Sequence, residues 1–281
     1  MSETFDEEYW DVDGTSLHRL GWSIGTLSGL ALPPKRGDDT TFANRPGREY
    51  RNKPPDSQTI ALPMWVTGSD PATGVQAADP RLAWNDNWRA LQQLVNPPGG
   101  GQVSLTRRKK LTVGGVPTVV SATAQAEYTQ MIPSMTGRTR ADFSLEFLLA
   151  VPYFFGSQVT TSHIEVSTPA TINNPGDDIA GWFEFEIDFV GTLVNPKLTN
   201  STPSTDVWVK YGSSISAGDT VTLDVESFTA TRESDSENVI GNITHGGKPY
   251  WLGLWPGDNT ITLTADSGSG YAIIRYKPPY V

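Results

Sequence analysis

The segment FEFEIDF places three carboxylates, Glu184, Glu186 and Asp188, at alternate positions. Two carboxylates that flank a sugar linkage can hydrolyse it, and a carboxylate cluster can bind calcium. The polar face of an antiparallel strand produces the same spacing, because side chains alternate between its two faces. Since the alternation already explains the spacing, we interpret these residues as the solvent-exposed face of a strand.

Composition restricts thiol and imidazole chemistry. The sequence has no cysteine, which excludes disulfides, cysteine-based zinc sites and a cysteine nucleophile. The three histidines, His18, His163 and His245, are not spaced as metal ligands. His163 and Glu165 form a His-x-Glu pair like that of zinc deaminases, but that zinc site also needs cysteines. We therefore predict that the protein is not an enzyme, with no catalytic residue, no metal site and no cofactor.

A basic run, Arg107, Arg108, Lys109 and Lys110, interrupts the strand-like segment GQVSLTRRKKLTVGG. The whole chain has a formal net charge of −10, which argues against general binding of nucleic acid. Two interpretations of the run stay open. It is an exposed strand with its charges in water, or it contacts an acidic surface of a neighbouring subunit, where complementary charge sets register and approach. These four residues are the candidate subunit interface.

Four tryptophans of the C-terminal half could form an aromatic platform for sugars: Trp182, Trp208, Trp251 and Trp255. Such residues more often belong to the core or rim of a β domain, since aromatic side chains dominate small β cores. Trp251 and Trp255 are the two that we single out as possible glycan contacts. They support an alternative function, that of a carbohydrate-binding β-sandwich module that recognises host surface glycans.

Period-two alternation predicts most of the elements that would position these residues. One apolar face and one polar face are typical of antiparallel strands in sandwiches and barrels, so the chain is predicted to be mainly β. The expected faces are, strand by strand, Ile60, Leu62, Met64 and Val66; Ala122, Ala124, Ala126 and Tyr128; Phe143, Leu145, Phe147 and Leu149; Phe183, Phe185, Ile187 and Phe189; Val221, Leu223 and Val225; Ile261, Leu263 and Ala265; Ala272, Ile274 and Tyr276.

The segment DPRLAWNDNWRALQQLVNPPGGG predicts a helix. Asp79 is a good N-cap and Pro80 suits the first helical position, while Trp84 and Trp88 are expected to pack on a sheet. Beyond the stretch VPYFFGSQVTT only short strands with turn signals follow, at a spacing that fits a sandwich or jelly roll. The sequence therefore predicts an α+β domain of strands and one helix over residues 1–152 and an antiparallel β-sandwich over residues 153–281.

Neither end of the chain indicates export or a membrane. The N-terminal stretch MSETFDEEYWDVDG is acidic and lacks the basic and apolar regions of a signal peptide. No run reaches the roughly 18 apolar residues of a spanning helix. We expect synthesis in the host cytoplasm and no membrane insertion. At the other end, Pro256-Gly257-Asp258-Asn259 predicts a tight turn, followed by a terminal hairpin whose last strand is Ala272 to Tyr276. Pro278 and Pro279 are expected to stop that strand.

The order of these features resembles the distal tail protein family of long-tailed, non-contractile bacteriophages, whose members are often called minor tail proteins. The resemblance covers most of the chain. It is strongest in the stretch PGDNTI with the final RYKPPYV, and in DFSLEF before the aromatic junction VPYFFG.

The resemblance implies a structural virion protein at the tail tip. In that family the N-terminal domain forms a hexameric ring, and a C-terminal galectin-like or jelly-roll sandwich decorates its outside. The ring joins the tail tube to the tip or baseplate and leaves a channel through which DNA passes without specific binding. The implied partners are copies of the chain, the tail tube protein, the tape measure and other tail-tip proteins. An arm or hairpin of the first domain clasps neighbours, and the proline-rich segment 31–56 is our candidate for part of it.

Overall fold

The computed structural model describes the chain in six segments, residues 9–25, 40–41, 48–49, 57–113, 116–247 and 251–280. The chain divides into two compact units, Met1–Phe154 with Val281 and Phe155–Tyr280. None of the helices in the described segments is long and apolar enough to cross a membrane.

In the first unit the elements are β1 (Tyr9–Val12), β2 (Thr15–Ser16), β3 (Trp22–Ile24), β4 (Thr40–Thr41), β5 (Arg48–Glu49), β6 (Gln58–Thr67), α1 (Pro80–Val95), β7 (Gln102–Val113), β8 (Val116–Met131), β9 (Ser134–Met135) and β10 (Arg140–Leu149). An antiparallel sheet has the strand order β2-β1-β7-β8-β10-β6-β3, with β9 beside β10. Strands β4 and β5 form a separate short ladder; the rest of the candidate arm 31–56 lies outside the described residues.

Helix α1 begins and ends where the sequence predicts. The Asp79 carboxylate accepts hydrogen bonds from the backbone N–H groups of Arg81 and Leu82, at 3.1 and 3.0 Å. Trp84 is buried and stacks on Trp88 with ring centroids 5.8 Å apart. The edge of Trp88 meets Phe143 of β10. The predicted packing of both tryptophans on the sheet is therefore confirmed.

The predicted alternation of the first unit is also confirmed. Strands β6 and β10 pair along ten residues each, and opposite residues such as Leu62 and Leu145 share the buried face. On β8 the inward residues are the alanines Ala122, Ala124 and Ala126, all buried. Small side chains at these positions leave room for the longer side chains of β7 opposite them.

In the second unit, with β11 at the division, the strands are β11 (Phe154–Phe155), β12 (Val159–Thr160), β13 (Ile164–Glu165), β14 (Ala170–Asn174), β15 (Phe185–Val194), β16 (Lys197–Asn200), β17 (Val207–Tyr211), β18 (Thr220–Asp224), β19 (Thr229–Arg232), β20 (Glu237–Asn238), β21 (Ile243–Gly246), β22 (Gly257–Thr264), β23 (Ser267–Tyr276) and β24 (Pro279–Tyr280). A 3₁₀ turn occupies Ile240–Asn242.

Two antiparallel sheets of the second unit share one core. The first has the order β12-β23-β15-β18-β19-β20, with β13 also on β23, and the second has the order β14-β22-β16-β17-β21. Ile187 and Ile274 from the first sheet and Leu198 and Ile261 from the second belong to the same buried cluster. This arrangement is a β-sandwich, as the alternating strands and turn signals predict.

The expected terminal hairpin is wrong. Strand β22 pairs with β14 and β16, whereas β23 pairs with β15 in the other sheet, so the two strands face each other across the core. The expected tight turn is also wrong, because β22 already begins at Gly257. Alternation shows which residues of a strand point inward. It does not show whether two strands pair within one sheet or lie in opposite sheets.

Candidate functional site

Each of the three carboxylates of the FEFEIDF segment forms an ion pair with an arginine or lysine side chain. Arg275 donates to Asp188, with 2.6 Å between Nη1 and Oδ2, and also to Glu186. Lys277 Nζ lies 2.9 Å from Glu184 Oε1. Burial opposes the charge of Arg275, but Asp188 and Glu186 outweigh it and raise its pKa. The carboxylates are therefore held in ion pairs, and Glu184 and Glu186 line a small pocket together with the two cations that pair with them.

Asp188 and Glu184 do not fit the interpretation of all three carboxylates as the solvent-exposed face of a strand. Asp188 is buried, with 4% of its surface exposed, because Arg275 and the hydroxyl of Thr222, 2.8 Å away, satisfy its carboxylate. Glu184 precedes β15 and has a positive φ of 51°, so it does not continue the strand. Among the described residues, no group of three His, Cys, Asp or Glu side chains could hold a metal ion.

The basic run lies on β7 and divides into a buried and an exposed part. Arg107 pairs with Trp10 of β1 and Ala122 of β8, and only 8% of it is exposed. Its guanidinium carbon lies 5.8 Å from the centre of the Trp10 ring. Arg107 therefore continues the buried face of β7 with its aliphatic stem, and it contributes to packing in the first unit.

Arg108 and the two lysines lie at the surface. Arg108 Nη2 donates to Asp11 Oδ2 at 2.9 Å; the Asp11 side chain is 4% exposed and that of Arg108 is 50% exposed. The Arg108 guanidinium also stacks over Tyr9, 5.0 Å from the ring centre. Lys109 and Lys110 are exposed. The positive charge that a partner can reach is therefore that of Arg108, Lys109 and Lys110.

These exposed residues lie where the β7–β8 ladder continues past the described part of β1. The described pairing of β1 with β7 ends at Tyr9 opposite Arg108. Beyond that point β7 and β8 stay paired with each other, from Lys109 opposite Val120 to Val113 opposite Val116. We call the described part of this ladder, residues 109–113 and 116–120, the hairpin end. It carries Val119, which is 66% exposed, beside the basic residues.

The two candidate glycan contacts have different environments. Trp251 is 3% exposed, has a φ of 69° and meets the edge of Phe228, so its ring lies inside the second unit. Trp255 is half-buried and lines an open groove with Pro203, Ser204, Thr205 and Gly247. Of the two tryptophans, Trp255 is the one whose ring a ligand can reach.

Sequence reasoning missed three buried asparagines that hold the segment between these tryptophans. Asn200 donates to the carbonyl of Gly253 at 2.7 Å, and Asn174 donates to that of Leu254 at 2.9 Å. Asn259 accepts from the N–H of Trp255 and donates to its carbonyl, both at 2.8 Å. A detectable signal exists, since each asparagine lies two residues from an inward-facing Ile or Leu of its strand.

Comparison with known proteins shows a likeness in structure alone. No model of a known protein family matches the chain, and no curated protein matches it in sequence. The crystal structure of the Dit protein of phage SPP1, described as a paradigm of the hub adsorption apparatus in phages that infect Gram-positive bacteria, superposes with a TM-score of 0.60 and 13% identity. The match covers 98% of this chain and 99% of that one.

Two structures of the phage P2 baseplate in its activated conformation also match, one with calcium and one with strontium. Their TM-scores are 0.38 and 0.35, each at 9% identity, over 96% and 98% of this chain and 97% and 99% of theirs. Likeness at these scores is too weak to define a shared fold. The fold of the chain is thus that of the SPP1 Dit protein, and the resemblance drawn from the sequence is confirmed at the level of fold.

Proposed function

We propose that this chain is a structural protein of a phage tail tip, a distal tail protein that assembles as a hexameric ring between the tail tube and the tip or baseplate. The observation that carries the proposal is the likeness to the SPP1 Dit protein over nearly the whole length of both chains. Fold alone does not define function. Here the independent order of sequence features supports the same family.

In this role the ring leaves a channel through which DNA passes. A conduit must not hold the DNA, and the formal charge of −10 opposes such binding. The partners are further copies of the chain, the tail tube protein, the tape measure and other tail-tip proteins, and the protein resides in the virion. Its function is structural assembly, and it catalyses no reaction.

A ring requires two unlike surfaces on each copy, one that fits the other on its neighbour. The hairpin end, with Arg108, supplies an exposed basic surface. The net negative charge is concentrated in the second unit, where 15 acidic and 6 basic residues over 155–280 give a net charge of −9. The first unit, over 1–154, has 16 acidic and 15 basic residues. This unequal distribution supports charge-complementary contacts between copies.

The mass of the purified chain in solution tests the proposal. Light scattering at several concentrations, with negative-stain images of the same samples, is expected to reveal ring-shaped particles near 183 kDa, the mass of six chains of 30.5 kDa. If the chain alone is monomeric, the measurement is repeated with the tail tube protein of the same phage as template. A chain that stays monomeric in both samples, or that forms a closed dimer, contradicts the proposed ring.

A further inference from the structure

We infer that the groove beside Trp255 is a binding site for a neutral saccharide. Its described lining is Trp255, Pro203, Ser204, Thr205 and Gly247. Sugar binding here is a property of the second unit alone, in addition to the tail-tip role.

The lining has the chemistry that a sugar needs. Ser204 and Thr205 are exposed hydroxyl residues, which can both donate and accept hydrogen bonds. The half-buried indole of Trp255 offers an apolar surface with a polar N–H at its rim. The groove has a volume of about 760 Å³, within the range of small-molecule sites. A sugar has the matching pattern, with C–H groups on its faces and hydroxyls around its edge.

One buried side chain connects two walls of the groove by hydrogen bonds. Asn200 donates from Nδ2 to the carbonyl of Gly253 at 2.7 Å, on the segment that carries Trp255. Its Oδ1 accepts the N–H of Thr202 at 3.0 Å, at the start of the opposite wall. The Thr202 hydroxyl in turn accepts the N–H of Thr260 at 2.7 Å. Walls fixed before binding lose little entropy when a ligand arrives.

A second asparagine fixes Trp255 itself. Asn259 is fully buried, and its amide bonds both the N–H and the carbonyl of Trp255. Asn200 donates to Asn259 Oδ1 at 2.9 Å, so the two amides form one network. Below it, the buried ring of Trp251 anchors the same segment from inside the unit. The half-buried indole of Trp255 is therefore held in place by buried hydrogen bonds and packing contacts.

The charges of the described residues near the groove favour a neutral ligand over an anionic one. The described lining residues carry no charge. Asp206 follows Thr205 in the chain and Asp258 follows Gly257, and both are exposed. The second unit has a net charge of −9, so a phosphate-containing wall polymer would be repelled. A neutral oligosaccharide has no such penalty.

The test is calorimetric titration of the full-length protein with neutral oligosaccharides, namely cellotetraose, chitotetraose and maltotetraose. Glycerol-phosphate teichoic acid and a proline-rich peptide serve as competing ligand classes. We expect weak binding of at least one neutral sugar. Trp255→Ala should weaken that binding by about tenfold or more, because the aromatic contact is lost. Thr205→Arg, a change at an exposed position, should block the groove without removing any core contact.

Trp182→Ala is the matched control, since Trp182 is a half-buried tryptophan of the same unit that does not line the groove. It should bind the sugar as the parent does. The inference is overturned if none of the neutral sugars binds, or if binding survives both groove variants. It is also overturned if teichoic acid or the proline-rich peptide binds more tightly than every neutral sugar. None of these results bears on ring assembly, which is measured separately.

Discussion

Asn200 illustrates how one polar residue inside a β-sandwich can organise distant segments. Its amide joins Gly253, Asn259 and Thr202, which are between 2 and 59 positions away in the chain. Removing the amide leaves a buried carbonyl and an N–H without their partner, and each such group costs about 1–3 kcal/mol. The residue therefore stabilises both the unit and the geometry of the groove.

We predict that Asn200→Ala lowers the free energy of unfolding by about 2–4 kcal/mol, since its three partner groups each lose a hydrogen bond. Urea unfolding followed by circular dichroism measures it. Asn173→Ala is the control: its side chain is exposed and bonds only an exposed carboxylate, that of Asp258 at 2.8 Å, so we expect a loss below about 0.5 kcal/mol. Equal losses for the two variants would contradict the role assigned to Asn200.

Tyr276 makes stability depend on alkaline pH. Its hydroxyl donates to the carbonyl of Asn173 at 2.6 Å, and burial raises its pKa to about 12, whereas an unfolded tyrosine titrates near pH 10. The stabilisation is therefore complete below about pH 10 and is lost as the pH rises to about 12. We predict a loss of about 2–3 kcal/mol across that interval.

Urea unfolding at several pH values from 8 to 12 measures this dependence. Tyr276→Phe cannot ionise, so the variant should be less stable at pH 8, because it lacks the hydrogen bond, but should lose less stability up to pH 12. Tyr280, whose pKa is also raised by burial, is retained and leaves a smaller slope. Parallel curves for the two proteins would show that Tyr276 is not the titrating group.

Local sequence signals predicted the ends of the helix better than the pairing of strands in the sheets. Asp79, Pro80 and the spacing of Trp84 and Trp88 lie within a single short segment, so sequence alone set both ends of α1. Strand faces were also local, because alternation depends only on neighbouring residues. Strand partners depend on residues far apart in the chain, and nothing local marked β22 and β23 as members of opposite sheets.

The segment DSGSG has the composition of a loop, but its two glycines do not lie in one. These residues belong to β23, where Gly268 has a φ of 98°. A Cβ at Gly268 would lie 1.8 Å from the Thr192 carbonyl oxygen. Glycine is thus required by the close approach of a paired strand, and the sequence signal for a loop is the same as that for such an approach.

The N-cap of α1 provides a test of one such local signal. We predict that Asp79→Ala lowers the free energy of unfolding by about 1 kcal/mol, because the N–H groups of Arg81 and Leu82 lose their acceptor. Asp86→Ala is the matched control, since Asp86 is exposed in the middle of the helix and alanine favours helix there. Urea unfolding should show no loss for Asp86→Ala. A loss as large as that of Asp79→Ala would mean that general charge, and not capping, matters.

Net charge is distributed unequally between the two units of the chain. The second unit carries −9 of the total charge of −10, while the hairpin end offers exposed lysines. In a ring, each copy meets the next through unlike surfaces, and opposite charges favour one register and disfavour others. Buried Arg107 is not part of this attraction, because its guanidinium packs on Trp10 within its own unit.

Reversing the charge of the two exposed lysines of the hairpin end tests this distribution of charge. Lys109→Glu combined with Lys110→Glu should shift the protein from rings toward monomers, by about tenfold or more in the concentration needed for assembly if each contact contributes about 1 kcal/mol. The shift should grow at low salt, because screening weakens the repulsion at higher ionic strength. Light scattering across concentrations and two ionic strengths measures it.

The matched control reverses two other exposed cations of the first unit, Arg89 and Arg138, to glutamate. It changes the net charge equally, so it separates a specific contact at the hairpin end from general repulsion between more negative copies. If both double variants assemble equally poorly, general repulsion is responsible. If both assemble like the parent, the ring does not depend on the basic residues of the hairpin end. Its interface must then be formed by exposed apolar residues such as Val119, or by another surface of the chain.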